Sequence, residues 1–395
     1  MATPEGLKGG LAPFLRNPRV LSVLFQAALC AVVVALIVFA ARNAIDNLAR
    51  AKIASGFGFW NATAGFDINQ TLIEYSAQGS TYGRAFWVGL LNTLLVAVLG
   101  IVFATVLGFL IGIGRLSRNW LIARLCGFYV ETIRNVPLLL QLLFWYNAVL
   151  KALPELRDAH PLSGGIVISN RGLYVAKPIF AGNFGFVVLA FALACLACVA
   201  LAVFAKRQRE TSGRRWPVIG PSILLLLGLP LIIFVAAGFP VSFEYPQMGR
   251  YNIDGGIEIL PELLALLFGL SIYTGAFIAE AVRAGITAVA KGQTEAAYAV
   301  GLRPGATFRL VVIPQAMRVI IPPLTNQYLN LTKNSSLAVA IGYPDLVQIF
   351  TGTVLNQTGQ AVEIVTLTMA VYLAISLATS VSMNWYNAHL ERTER

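Results

Sequence analysis

The stretch TEAAYAVGLRPGATFRLVVIP, from Thr294 to Pro314, decides how this chain is read. It is a polar, basic segment set between two strongly apolar regions. Thr294 is a residue type that caps helix N-termini, and Glu295 brings negative charge to the helix end where the dipole favours it. Ala296, Ala297, Tyr298 and Ala299 propagate a helix. Gly301 followed by Pro304 ends it in the manner of a left-handed C-cap. The pattern predicts a short helix opening at Thr294 and presented on a loop between two apolar spans. An ordinary connecting loop with one helical turn is the plainer reading.

Working outward, the 395 residues are 57% hydrophobic and 12% charged, with a mean hydropathy of +0.73. An average soluble domain carries about 25% charged residues. Apolar stretches of the roughly 20 residues that cross a bilayer as a helix recur at about 21–41, 85–113, 135–153, 183–205, 217–238, 260–281, 312–332 and 362–385. These eight segments predict an all-α, polytopic integral membrane protein. The first is too long for a cleaved signal peptide and lacks a small-residue cleavage site, so it reads as a retained span.

The net charge of +11 raises nucleic acid as a partner, but its distribution argues otherwise. With the N-terminus in the cytoplasm, 19 of the 29 basic residues and seven of the 18 acids fall inside, giving +12 against −1. That is the positive-inside bias of a membrane protein. It places both termini and the Thr294–Pro314 loop in the cytoplasm. Cys30, Cys126, Cys195 and Cys198 all lie in or beside apolar segments, so no disulfide framework is expected. Cys195 and Cys198 form a CxxC in mid-span, which suits small-residue helix packing rather than metal or redox chemistry. His160 and His389 assemble no metal or nucleophile constellation.

Residues 1–84 read as a short tail, an extra transmembrane helix and an external loop. That loop's Phe57, Phe59, Trp60 and Phe66 are expected at the membrane interface. A core begins at residue 85, where Asn92 and Thr93 precede Gly100, Gly108, Gly112 and Gly114, a spacing suited to close helix packing. In the segment Glu131–Gln141, Pro137 fits the first turn of a helix, with Arg134 and Asn135 at its cytoplasmic mouth. Residues 151–258 look inserted: an external loop and a two-helix hairpin around the basic Lys206–Arg215 turn. The core resumes at Ser271–Glu280, and Glu280 stands three residues before Arg283, as in an i, i+3 ion pair.

The seventh span is expected to be broken by Pro314, Pro322 and Pro323, and it is polar through Asn326, Gln327, Asn330, Thr332, Asn334, Ser335 and Ser336. Such residues at membrane depth face a protein interior or a water-lined path. Amides and hydroxyls offer donors to a carboxylate and acceptors to an ammonium, as a zwitterionic amino acid requires, and helix breaks add free N–H groups. Gln141 and Tyr273 are further candidates for that pathway. Hydrogen bonding to neighbouring spans or to a partner chain is the alternative.

The spacing of Glu295-Ala296-Ala297, Gly301 and Ile313-Pro314 resembles the EAA loop of ABC-importer permeases. Arg134–Gln141, Tyr273–Gly285 and Leu329–Leu337 resemble the polar amino acid permeases of the His/Glu/Gln/Arg class. The extra N-terminal span and the inserted hairpin resemble the longer permease of bacterial general L-amino acid systems, the Aap/Bzt type. The resemblance implies a type I ABC-importer permease core over 85–390, with its coupling loop at about 283–314. It implies import of L-amino acids from the periplasm through the bacterial inner membrane by alternating access. The implied partners are a second homologous permease, a cytoplasmic ATPase dimer carrying ATP and Mg, and a periplasmic amino acid-binding protein. Glu295, Ala296, Ala297, Gly301, Ile313 and Pro314 would then engage the ATPase. The chain has no G-x-x-x-x-G-K-[ST] phosphate loop, so hydrolysis falls to the partner and this chain is expected to bind no cofactor. An ion-coupled secondary amino acid transporter is the alternative, favoured by repeated halves and a mid-span carboxylate. Neither stands out. A non-transport membrane protein using the loop for docking is opposed by the polar seventh span.

Overall fold

In a computed structural model of the protein, residues 18–50, 55–159, 161, 165–213, 216–249 and 252–392 are described. The tail up to residue 17, His160, Arg214 and Arg215 lie outside them. The helices are α1 (Pro18–Arg50), α2 (Tyr82–Gly114), α3 (Trp120–Asn135), α4 (Leu138–Leu150), α5 (Phe184–Ser212), α6 (Ile219–Ala236), α7 (Pro261–Thr287), α8 (Lys291–Ala299), α9 (Pro304–Ile341), α10 (348–358) and α11 (Ala361–Arg392). Among the described residues, seven helices are long and apolar enough to cross a membrane: α1, α2, α5, α6, α7, α9 and α11.

The span expected at 135–153 is present only as a shorter apolar helix, because it is cut off from the helix before it at Pro137. Pro137 lacks an N–H and forces the residue before it to be extended. Val136 accordingly takes φ −99° and ψ 128° and ends α3. The apolar run then restarts as the short α4. Gln141 Nε2 donates to the carbonyls of Ile133 and Val136, at 2.9 Å each, satisfying acceptors exposed by the break. Arg134 and Asn135 are the last residues of the 16-residue α3 and stand immediately before α4, whose N-cap is Pro137. The start of α3 is fixed by Asn119, whose side chain accepts from the N–H of Leu121 and Ile122.

The prolines of the seventh span behave differently from expectation too. Pro314 follows a π-helical turn at Phe308–Val312, and Pro322 and Pro323 lie inside a continuous α-helix from Ile313 to Asn334. Both internal prolines are exposed, so their rings press on the outer face and the buried face stays helical. Beyond Asn334 the backbone tightens over Ser335–Ile341 into a 3₁₀ helix closed by Gly342 at φ +77°.

The chain divides into two compact units. The first comprises residues 1–94 and 344–392. No side chain of α1 from Leu21 to Ala40 is buried by protein. The loop aromatics were expected at the membrane interface, but most turn inward to make a core. Phe59 is buried against Tyr82, their ring centres 5.9 Å apart, and Trp60 packs on Phe86 and Phe350 at 5.2 and 6.4 Å. Phe66 meets Tyr75 and Tyr82, and only Phe57 is largely exposed. Asn92 Nδ2 donates to the carbonyls of Gln70 and Pro344, and Thr93 Oγ1 accepts from Leu346 N–H, so the helix grips the turn that carries Asp345.

Asp345 is fully buried and accepts from Gln348 N–H at 2.8 Å and the Tyr372 hydroxyl at 3.1 Å. Burial outweighs these bonds and pushes its carboxyl from 3.8 up to about 7. A raised folded-state value stabilises below the unfolded value, and that contribution is lost as pH rises through the folded one. The window is therefore pH 3.8 to about 7. Asp345→Asn mimics the protonated form and keeps the acceptor for Gln348. It is expected to melt above the wild type at pH 8 and by a clearly smaller margin at pH 5, since the two become level only below the unfolded value, measured on detergent-purified chain. An unchanged gap at both pH values would contradict this account.

The second unit is residues 95–343. Its core joins α2, α4, α7 and α9 through Ala104, Leu142, Leu266, Leu270, Ile278, Ile320 and Leu331, all essentially inaccessible. Glycines set the spacing: a Cβ on Gly108 would lie 2.5 Å from Ile278 Cβ, and one on Gly285 would lie 2.3 Å from Ile320 Cγ1. The loops flanking α5 and α6 contain short antiparallel strands. Val167–Ser169 (β1), Gly172–Val175 (β2) and Ile257–Ile259 (β7) form a three-stranded sheet in which Tyr174 faces Glu258. Lys177–Phe180 (β3) pairs with Val241–Glu244 (β4), and Gln247–Met248 (β5) with Ile253–Asp254 (β6). At two to four residues each, these runs are too short to show an alternating pattern in sequence. All four cysteines are free.

Candidate functional site

The helix predicted from Thr294 begins earlier, at Lys291. Its N-cap is Ala290, which has no side-chain oxygen, so neither Thr294 nor Glu295 lies at the N-terminus as expected. The end of the helix is built by glycine. Gly301 has φ +83°, with Gly301 N–H bonded to Tyr298 O at 2.9 Å and Leu302 N–H to Ala297 O at 3.0 Å. This pair of bonds is a Schellman motif, which needs the left-handed residue that glycine supplies without strain. Ala297 is buried beneath the helix, while Glu295 and Ala296 are exposed. Tyr298 and Val300 are exposed as well, Val300 at 78%. Gln315 Nε2 donates to Gln293 Oε1 at 3.1 Å, tying α8 to α9. Ile313 is exposed and Pro314 half-buried, and both stand in the first turn of the long α-helical part of α9, Ile313–Asn334.

The pathway candidates separate by environment. Val319, Pro322, Pro323, Asn326, Asn330 and Lys333 are exposed at helical spacing and form one face of α9. Gln327, Asn334 and Ser336 are half-buried at its margins. Thr332 and Ser335 are buried, their hydroxyls donating within the same helix to Tyr328 O and Thr332 O. Gln141 is buried at the Pro137 break, and Tyr273 packs on Phe277 with centroids 4.9 Å apart and the rings tilted at 53°. The structure thus brings Asn326 and Asn330 onto an open face and places Thr332, Ser335 and Gln141 inside the protein.

One cluster exceeds what the sequence indicated. Arg283 pairs with Glu280 at 2.6 Å, as the i, i+3 spacing anticipated. Arg115 also bonds Glu280, and Arg134 lies 3.7 Å from it. One carboxylate thereby holds three guanidiniums from the end of α2, from α3 and from α7. Arg115 and Arg134 are over 140 residues from Glu280 in the chain, so no local pattern could have joined them.

Residues 199–395 match the family described as the inner membrane component of binding-protein-dependent transport systems. The chain is 51% identical over 379 residues to the general L-amino acid transport system permease protein AapQ of Rhizobium johnstonii, covering 96% of this chain and 94% of that one. It is 50% identical to the putative amino-acid ABC transporter permease protein YhdX of Escherichia coli, over 98% of both chains. It is 41% identical to the glutamate/glutamine/aspartate/asparagine transport system permease protein BztB of Rhodobacter capsulatus, over 98% of this chain and 97% of that one. These relationships set aside the ion-coupled alternative. The chain belongs to the family of binding-protein-dependent transport permeases, as an L-amino acid permease of the ABC-importer class.

Proposed function

We propose that this permease sits in a bacterial inner membrane and works with a second homologous permease, a cytoplasmic ATPase dimer and a periplasmic amino acid-binding protein. ATP and Mg act on the ATPase, and α8 transmits its closure to the membrane helices. The observation carrying this reading is the shape of α8. It is a short exposed helix with a fixed Schellman exit, and it presents Tyr298 and Val300 to solvent beside Glu295 and Ala296. Exposed apolar tips on a polar helix are what a docking groove receives. Pro314 and Ile313 extend that grip into α9, so that motion of α8 acts on the span directly.

Asn326 and Asn330, with Gln327, Asn334 and Ser336 at the margin, line the path of the amino acid. Thr332, Ser335, Gln141 and Tyr273 support it from within. The relatives named for general L-amino acids and for glutamate, glutamine, aspartate and asparagine favour a broad or polar substrate range. The test is to purify the tagged chain from its native membrane in mild detergent, identify what accompanies it, and reconstitute the complex. An ATPase and a second permease are expected, with uptake that requires ATP and survives ionophores. Recovery of the chain alone, with uptake abolished by ionophores, would overturn the assignment.

A further inference from the structure

A cavity of about 360 Å³ opens between the end of α2, α3 and α7, lined by Arg115, Arg124, Gly127, Phe128, Glu131 and Arg283. Its charge is unbalanced. Arg115 and Arg283 share Glu280 with Arg134. Arg124 is exposed and makes no ion pair among the described residues. Four guanidiniums thus meet two carboxylates, Glu280 and Glu131, leaving an excess of two positive charges around a concave site.

Gly127 lines the cavity, and a Cβ built on it would meet nothing within 4 Å, so open space lies over this part of the wall. Beside the cavity, α3 carries a lipid-suited strip, with Trp120, Leu121, Leu125 and Phe128 all more than half exposed. The charge bias along the chain assigns this end of the helices to the cytoplasmic side. Basic pockets between membrane helices on that side suit the head groups of anionic lipids.

We propose that this cavity binds an anionic phospholipid of the inner leaflet. The phosphate is held by Arg124 together with Arg115 and Arg283, and the acyl chains run along the Leu121, Leu125 and Phe128 strip. The apolar strip distinguishes a lipid from a free anion, which would need only the arginines. Glu131 at the rim faces the glycerol end of the head group, where it can accept from hydroxyls.

The experiment is native mass spectrometry of the complex purified with the full chain. Phosphatidylglycerol, phosphatidylcholine or inorganic phosphate is added, and retention is read for wild type, Arg124→Gln, Gly127→Phe and Arg118→Gln. Wild type is expected to keep phosphatidylglycerol over phosphatidylcholine and to be unaffected by millimolar phosphate. Arg124→Gln should weaken retention about fivefold, the value of one basic residue at a membrane surface. Gly127→Phe should abolish it by filling the cavity, and Arg118→Gln, outside the cavity, should leave it unchanged. Arg124 is exposed, so its substitution tests the site even where Gly127→Phe fails to fold. Equal retention of phosphatidylcholine, displacement by inorganic phosphate, or wild-type retention in Arg124→Gln would each overturn the proposal.

Discussion

Gly301→Asp is expected to leave the permease in the membrane at its normal level and to lower amino acid uptake by roughly tenfold. Gly301 holds φ +83°, and a side chain placed there would meet nothing within 4 Å. The damage is therefore conformational rather than steric. A left-handed backbone costs a residue with a Cβ about 1–2 kcal/mol, and aspartate adds negative charge at the negative end of a helix dipole. The Schellman bonds from Gly301 and Leu302 loosen, and the tip formed by Tyr298 and Val300 no longer leaves the helix at one angle. Because Gly301 lies outside every membrane-spanning helix, insertion is spared. ATP hydrolysis by the assembled complex should continue without matching transport. Gly301→Asn, which tolerates the left-handed region better, should retain more uptake. Normal uptake by Gly301→Asp at a normal protein level would refute the lever role of α8.

The second large effect is structural. Gly108→Leu and Gly112→Val should remove most folded protein, seen as loss of the monodisperse peak in detergent and of any cooperative melting transition. A Cβ on Gly108 would lie 2.5 Å from Ile278 Cβ and 2.9 Å from Gly275 O, and one on Gly112 would lie 2.8 Å from Ala279 O and from Val282 Cβ. These neighbours are backbone or branch-point atoms of α7, so no rotamer change relieves the clash and the helices must separate. Overpacking of this kind costs about 1–3 kcal/mol or more per site. Gly100→Ala is the control: its nearest neighbour is a Leu331 methyl at 3.2 Å, the movable end of a side chain. Wild-type melting in Gly108→Leu would show that α2 and α7 are not held by this contact.

What could be read in the sequence was local. Gly301 and Pro304 punctuate the end of α8 because glycine and proline act on their own backbone. The beginning of α8 was misplaced because Ala290 offers no capping side chain, so nothing at Lys291 signals a start. Long apolar runs gave seven of the eight expected spans as continuous helices. The other is the short α4, which starts only after Pro137, whose effect also extends to Val136 before it. Pro322 and Pro323 looked like breaks of the same kind, yet they fall on the outer face of α9, where a missing N–H and an outward ring are tolerated. The convergence of Arg115, Arg134 and Arg283 on Glu280 depends on three helices meeting, and only one of those pairings has a helical spacing. The inward turn of Phe59 and Trp60 is likewise a property of packing, since the same residues would suit a membrane interface.

The outer face of α9 bears on the life of the chain in the cell. A stripe of Pro322, Pro323, Asn326, Asn330 and Lys333 cannot rest against hydrocarbon, because unsatisfied polar groups there cost several kcal/mol each. A freshly inserted copy that met no companion would present this stripe to lipid as a standing defect. Orphaned copies are thus expected to be degraded, so that the amount of permease measured in the membrane should track the supply of whatever covers the stripe rather than its own rate of synthesis.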